Sequence, residues 1–309
     1  MLQGEKVVVT GATGSVAMPV VRELAKANEV WALARFRKPE QRRALEDIGV
    51  TCVVKDLAAD SFDDLPGDFT RVFHTAALVY TEGSEDDYGY TFELNVQAAA
   101  RLIHHFRYVK TFVHCSTGGV YLHQSRPIVE SDPYGVMIPA YSLSKIAAEQ
   151  VVTFIANQWQ VPTVILRIGM VWGPDGTRGP GIRVARMVRG EEVPVSPVKP
   201  SLNSLIWEDD AAALSLNALT LGAVPPLVVN LGGDEPVSIE EYCTYAGELL
   251  GIEPKFRYTT EAYTGTFMDP TLCRSVLGPC QVDWREGMRR MVEAQYPDLV
   301  AAARRTGTH

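Results

Sequence analysis

Short runs of β-branched and other apolar residues recur along the chain, at Val7 to Thr10, Val30 to Ala34, Thr51 to Val54, Val72 to Thr75, Thr111 to His114, Thr163 to Ile168 and Leu227 to Asn230. Most are separated by stretches of helical length. Val16 to Ala27, Pro39 to Ile48, Thr91 to Phe106 and Tyr141 to Gln158 carry apolar residues at helical spacing. Runs that are apolar without alternation are buried on both faces, and strands linked through helices pair in parallel. The predicted fold is therefore α/β, a doubly wound parallel sheet covered by helices. In that plan ligands lie beyond the carboxyl ends of the strands.

The second half is less regular. Gly173-Pro174-Asp175-Gly176 and Gly179-Pro180-Gly181 are rich in breakers, and prolines crowd Val193 to Ser201. A second, smaller lobe is expected to begin here. Ser238 to Leu250 and Trp284 to Ala294 read as its helices, and Ala301 to His309 is expected to fray.

The first apolar run leads straight into Thr10-Gly11-Ala12-Thr13-Gly14-Ser15-Val16-Ala17. Gly11 can take backbone angles that a Cβ forbids, and Gly14 lets the chain approach a ligand closely. A helix opening at Ser15 aims free N–H groups and positive dipole at an anion. The spacing is GxxG followed by Ala17; the third position serves helix-to-strand packing, where alanine suffices. Strand, glycine turn and helix together predict a Rossmann-type cradle for a dinucleotide.

Composition narrows the partners. A chain of 309 residues, 46% hydrophobic and 21% charged, can bury one large core or a core plus a smaller lobe. Its net charge of -8 offers no electrostatic footprint for nucleic acid or an anionic membrane. The run Val7 to Val9 is too short for a signal peptide, and no stretch has the length of a transmembrane helix. The expected location is the cytoplasm. Cys52, Cys115, Cys243, Cys273 and Cys280 lack CxxC spacing and read as free thiols, and the histidines suggest packing, so no metal site is indicated.

A second constellation is Tyr141-Ser142-Leu143-Ser144-Lys145. Four residues apart on a helix, phenol and ammonium share a face and can reach a common ligand. A free tyrosine titrates near ~10, and lowering that by roughly three units takes about 4 kcal/mol. A nearby lysine and an oxidised nicotinamide can supply energy of that order in a closed site. Tyr141 would then exchange protons with an alcohol or carbonyl. Upstream, Ser116 and Thr117 follow a core strand and put two hydroxyls where it meets the cleft.

Taken in order, these residues resemble the extended short-chain dehydrogenases/reductases, the NAD(P)-dependent epimerase/dehydratase group. The resemblance covers nearly the whole length. It rests on Thr10 to Ala17, Asp56-Leu57, His74-Thr75-Ala76-Ala77, Asn95-Val96, Ser116 to Tyr121, and Tyr141 to Lys145 with Ala147-Ala148-Glu149. It continues through Leu166-Arg167, Val171 to Pro174, Glu208 to Ala211 and Asn230 to Gly233. It implies a Rossmann domain over residues 1–172, completed by about 203–232, and a substrate-binding lobe formed by 173–202 and 233–309.

The resemblance also implies roles. Gly11, Thr13, Gly14, Ser15 and Val16 would hold the cofactor phosphates, Asp56 and Leu57 would flank the adenine, and Thr75, Ala76 and Ala77 would form backbone around phosphates and ribose. Tyr141 would be the acid/base, and Lys145 would bind the nicotinamide ribose while keeping the tyrosine ionisable. In register with the family the catalytic Ser/Thr is Thr117, with Ser116 the neighbouring option. Asn95 matches the family's helix asparagine, more structural than chemical. Asp210 is read as the cap of the alanine-rich helix after it. The family pairs through two long helices, here Thr91 to Phe106 and Tyr141 to Gln158, which implies a homodimer.

Cofactor choice turns on Trp31 to Lys38. An NAD-selective site places a carboxylate here, whereas arginine favours a 2′-phosphate. The chain has no acid between Trp31 and Pro39, so Arg35, supported by Arg37 or Lys38, argues for NADP over NAD. Relatives acting on nucleotide sugars carry an asparagine where Met170 stands, and a Gly-Asp-Gly and an arginine that Val195 to Ser204 lacks. The expected activity is oxidoreduction at a hydroxyl or carbonyl carbon of a small molecule other than a typical nucleotide sugar. An epimerase or dehydratase that recycles its nicotinamide is the alternative, and a noncatalytic NADP-binding redox sensor the second.

Overall fold

A computed structural model describes residues 2–78 and 88–306. In chain order the elements are β1 (Lys6–Thr10), α1 (Ala17–Leu24), β2 (Glu29–Ala34), α2 (Pro39–Glu46), β3 (Thr51–Val54), β4 (Arg71–His74), α3 (Tyr88–Phe92), α4 (Ala98–His105), β5 (Thr111–Thr117), α5 (Pro139–Trp159), β6 (Thr163–Ile168), β7 (Met170–Trp172) and α6 (Pro180–Val188). There follow β8 (Val193–Val195), β9 (Leu202–Trp207), α7 (Glu208–Ala218), β10 (Leu227–Leu231), β11 (Pro236–Ser238), α8 (Ile239–Leu250), β12 (Phe256–Tyr258), α9 (Thr271–Val276), α10 (Trp284–Gln295) and α11 (Pro297–Thr306). None of the described helices is long and apolar enough to cross a membrane.

The chain divides into two units. The first runs to Leu122 and adds Asp132–Arg167 and Ala212–Val229. Its seven-stranded sheet has the order β10-β6-β5-β4-β1-β2-β3, the predicted doubly wound arrangement. β1 pairs in parallel with β2 and with β4, setting Thr10 opposite both Leu33 and His74. The order reverses between β1 and β4, so the topological switch point lies just past Thr10. Val7, Val8 and Val9 are fully buried, as a run without alternation requires, and α1 turns Ala17, Val20, Val21 and Leu24 inward. Val8 shares its core cluster with Leu102 and Ile103 of α4 and with Ala148 and Val152 of α5. Burying a side chain of this size stabilises the fold by about 1.5–3 kcal/mol.

The predicted helix from Thr91 to Phe106 is not one α-helix. α3 gives way to a π-helical turn over Glu93–Gln97 before α4 begins. Buried Asn95 occupies that turn. Its Oδ1 accepts from Leu78 N (2.8 Å), and its Nδ2 donates to Leu78 O (3.0 Å) and Ser144 Oγ (2.9 Å). The extra residue in the turn directs the amide at these partners, which helical spacing alone does not anticipate. α1 likewise starts at Ala17, later than the expected opening at Ser15.

The second unit comprises His123–Ser131, Ile168–Ala211 and the chain from Asn230. β9 pairs in parallel with β7 and antiparallel with β11, while β12 pairs with β8. Residues 202–207 join this unit through the β9 pairings. Trp172 and Trp207 meet edge to face at 5.1 Å in its core. A capping box of Ser238 and Glu241 starts α8. Asp210 does not cap α7 as expected. It lies inside that helix and accepts from the backbone amides of Gln281 and Val282, each at 2.9 Å. Nor does the chain fray at Ala301: α11 runs to Thr306 and buries Val300 and Ala303, while 307–309 lie outside the described residues.

Candidate active site

The end of β1 is fastened to the end of β4 by side chains. Thr10 Oγ1 bonds His74 Nδ1 at 2.7 Å and accepts from Ala76 N at 3.3 Å, and Thr75 Oγ1 donates to Thr10 O at 2.7 Å. Gly11 follows with φ +67°, and a Cβ there would stand 2.8 Å from the backbone of Ala76. Only glycine satisfies both the turn and this approach. α1 then begins without a side-chain cap and with no acid in its first turn. Met18 N donates to Gly14 O at 2.9 Å and Pro19 carries no N–H, so what suits an anion is the positive end of the helix dipole with the loop amides just before it.

A cleft of about 470 Å³ opens above this loop, within the range of small-molecule sites. Gly11, Thr13, Gly14, Ser15 and Val16 line one part, Arg35, Arg37 and Lys38 a second, and Asp56, Leu57, Thr75, Ala76 and Ala77 a third. Tyr141, far along the sequence, lines it too. The cradle thus fits a dinucleotide phosphate, and the basic segment after β2 adds positive charge without a carboxylate of its own. Lys55 also lines the cleft, but its ammonium donates to Asp64 (2.7 and 2.9 Å) and Ser61 O (2.9 Å).

Tyr141 and Lys145 sit on the first turns of α5, which Ser142 ties to the loop after β5 by donating to Gly119 O at 2.7 Å. Desolvation pushes the Tyr141 phenol up to about 12, against a hydrogen bond with Thr117 that pulls it down. Thr117 Oγ1 also accepts from Gly119 N at 3.1 Å. Lys145 is 1% exposed and donates to Cys115 O at 2.7 Å; burial brings its ammonium down to about 8. Below it, the rings of His74 and His114 lie 5.2 Å apart, and burial first, then the charge of Lys145, keeps both neutral.

The two candidate hydroxyls have different surroundings. Thr117 meets Tyr141, whereas Ser116 is buried and donates to Glu149 Oε1. Glu149, one turn beyond Lys145, accepts from Arg167 Nη2 at 2.7 Å and Nε at 3.1 Å, and from Tyr134 Oη at 3.0 Å. Arg167 donates to Tyr121 Oη at 2.8 Å and lies between the Tyr121 and Tyr134 rings, 4.8 and 5.1 Å from their centroids. Burial alone would lower its pKa, but the bonds to Glu149 outweigh this and hold it above its ordinary value. The motif Glu149 and Arg167 matched family residues in sequence; only the fold brings them together. Tyr90, which the sequence did not single out, bonds both Arg35 and Asp56. No local pattern could mark it, since its partners lie 55 and 34 residues away.

Comparison with known proteins agrees with this geometry. The profile of the NAD dependent epimerase/dehydratase family matches residues 7–232. The chain is 26% identical over 182 residues to YtcB of Bacillus subtilis, named an uncharacterized UDP-glucose epimerase, covering 55% of this chain and 57% of that protein. It is 20% identical over 328 residues to the trifunctional dehydratase, epimerase and reductase RHM3 of Arabidopsis thaliana, covering 94% and 47%. The chain thus spans about half the length of the curated relatives it matches. Among solved structures, MoeE5 in complex with UDP-glucuronic acid and NAD is 25% identical with a TM-score of 0.80, covering 94% of this chain and 99% of that one. UDP-glucuronic acid 4-epimerase from Bacillus cereus in complex with NAD shares the fold at 20% identity and a TM-score of 0.80, covering 94% and 98%. With a family match over most of its length and a neighbour of the same fold end to end, the chain belongs to the NAD dependent epimerase/dehydratase family.

Proposed function

We propose that this chain is an NADP-dependent oxidoreductase of the extended short-chain type that interconverts a hydroxyl and a carbonyl on a small molecule. The observation that carries this reading is Tyr141 on the wall of the cleft floored by the glycine loop, with Thr117 bonded to its phenol. A bound nicotinamide supplies or accepts the hydride at the substrate carbon. Tyr141 gives the carbonyl oxygen its proton in reduction and takes the hydroxyl proton in oxidation, while Thr117 orients that oxygen. Lys145, one turn along α5 from Tyr141 and buried against Cys115 O, would hold the nicotinamide ribose, as in the family. Ser116 is a positioning residue here, because its hydroxyl is engaged by Glu149.

NADP is favoured over NAD by Arg35, Arg37 and Lys38 on the cleft wall and by the lack of acid between Trp31 and Pro39. Arg35→Ala is expected to weaken NADPH by about 10- to 100-fold, the size of a charge-assisted hydrogen bond, and NADH by much less. Equal loss in parallel fluorescence titrations would refute the assignment. A homodimer, by analogy with the family, would cover Leu143 and Phe154, which α5 leaves 50% and 67% exposed; a single-chain mass by light scattering would remove it.

A second reading is favoured by the relatives, several of which are named for UDP-sugar epimerisation and two of which are solved with NAD and UDP-glucuronic acid. In that reading the nicotinamide is recycled within one turnover and stays bound. Nucleotide released by denaturing the purified protein separates the two. The oxidoreductase should yield little nucleotide and exchange NADPH freely. Near-stoichiometric NAD+ would assign the chain to epimerisation or dehydration.

A further inference from the structure

A phenol stands between two charged groups of the cofactor cleft. Arg35 Nη1 donates to Tyr90 Oη at 2.8 Å, and Tyr90 Oη reaches both carboxylate oxygens of Asp56 at 3.1 Å. The guanidinium carbon of Arg35 lies 5.7 Å from the centre of the Tyr90 ring. A guanidinium cannot accept and a carboxylate cannot donate, so the polarity of this chain of bonds is fixed. The phenol proton points at Asp56 and a lone pair at Arg35. Both Arg35 and Asp56 face the cleft.

An arginine and an aspartate this close would otherwise pair directly, and the bidentate form of that pair is the strong one. Such a pair would draw the guanidinium away from the place of a 2′-phosphate and the carboxylate away from the adenine side. The interposed hydroxyl satisfies one N–H of the fork and leaves the others to a ligand. We propose that Tyr90 is a selectivity-determining positioning residue, a spacer that keeps Arg35 off Asp56 so that the arginine can receive the 2′-phosphate of NADP. This rests on the assignment of Arg35 to that phosphate.

The test compares affinities for 2′,5′-ADP and 5′-ADP, two probes that differ only in the 2′-phosphate, in wild type, Tyr90→Phe and the double variant Tyr90→Phe/Asp56→Asn. Wild type should prefer 2′,5′-ADP. Tyr90→Phe should lower that preference by about tenfold, the scale of one hydrogen bond to a charged group. The double variant should regain most of it, since the amide no longer attracts the guanidinium as an anion does. The ratio cancels any contact with adenine or any loss of active protein, which a merely structural role would change for both probes. If wild type shows no preference, the NADP assignment falls and the proposal with it. If wild type prefers 2′,5′-ADP but Tyr90→Phe keeps the ratio, the assignment stands and the spacer is overturned. A lowered ratio that the double variant does not recover overturns it as well.

Discussion

Tyr141→Phe is expected to bind the dinucleotide within about twofold of wild type while turnover falls by about 10²- to 10⁴-fold, the range for losing a positioned general acid. The substitution keeps the ring, and so the packing at the start of α5, and removes only the oxygen that meets Thr117. Thr117 retains its bond from Gly119 N, so the loop after β5 has no reason to move. On the proposed mechanism, what disappears is the proton source at the reacting oxygen. The measurement is NADPH oxidation with an activated diketone, alongside a binding titration and a thermal melt. Turnover near the wild-type value would place the proton transfer on another group.

Glu149→Ala should lower stability by about 3–5 kcal/mol, the consequence of leaving a buried cation without its anion. Glu149 is 1% and Arg167 3% exposed, so water cannot replace the lost carboxylate. The guanidinium would remain between the Tyr121 and Tyr134 rings, and Ser116 and Tyr134 would lose an acceptor in the same stroke. Replacing both members with apolar residues, Glu149→Met/Arg167→Met, should recover much of the loss, because no isolated charge is then buried. Urea denaturation of the single and double variants reads both effects. A single-variant loss under about 1 kcal/mol would mean that the pair is solvated and contributes as little as an exposed one.

The central sheet was legible because its strands are unalternating apolar runs and helices of ordinary length join them. The glycine turn was legible because φ +67° and a 2.8 Å backbone approach leave a single residue type at Gly11. The strands of the second unit were not, since β7, β8, β11 and β12 are three residues each and two of them contain proline. Asp210 shows the same limit at one residue. Its place at a helix start suggested a cap, yet its carboxylate serves amides more than 70 residues away. At the site, Tyr141 and Lys145 share a helix face by their spacing, but that Glu149 engages Ser116 while Thr117 meets Tyr141, and that Tyr90 bonds Arg35, was not legible. Both depend on contacts between distant segments, which no local pattern encodes.

The bonds of Thr10 bear on what it costs to fill the cleft. Because one side chain and one carbonyl lash the ends of β1 and β4 together, the floor beneath the glycine loop is set by the folded chain itself. A nucleotide arriving there meets a mould already cast, so little conformational freedom is surrendered at that spot on association.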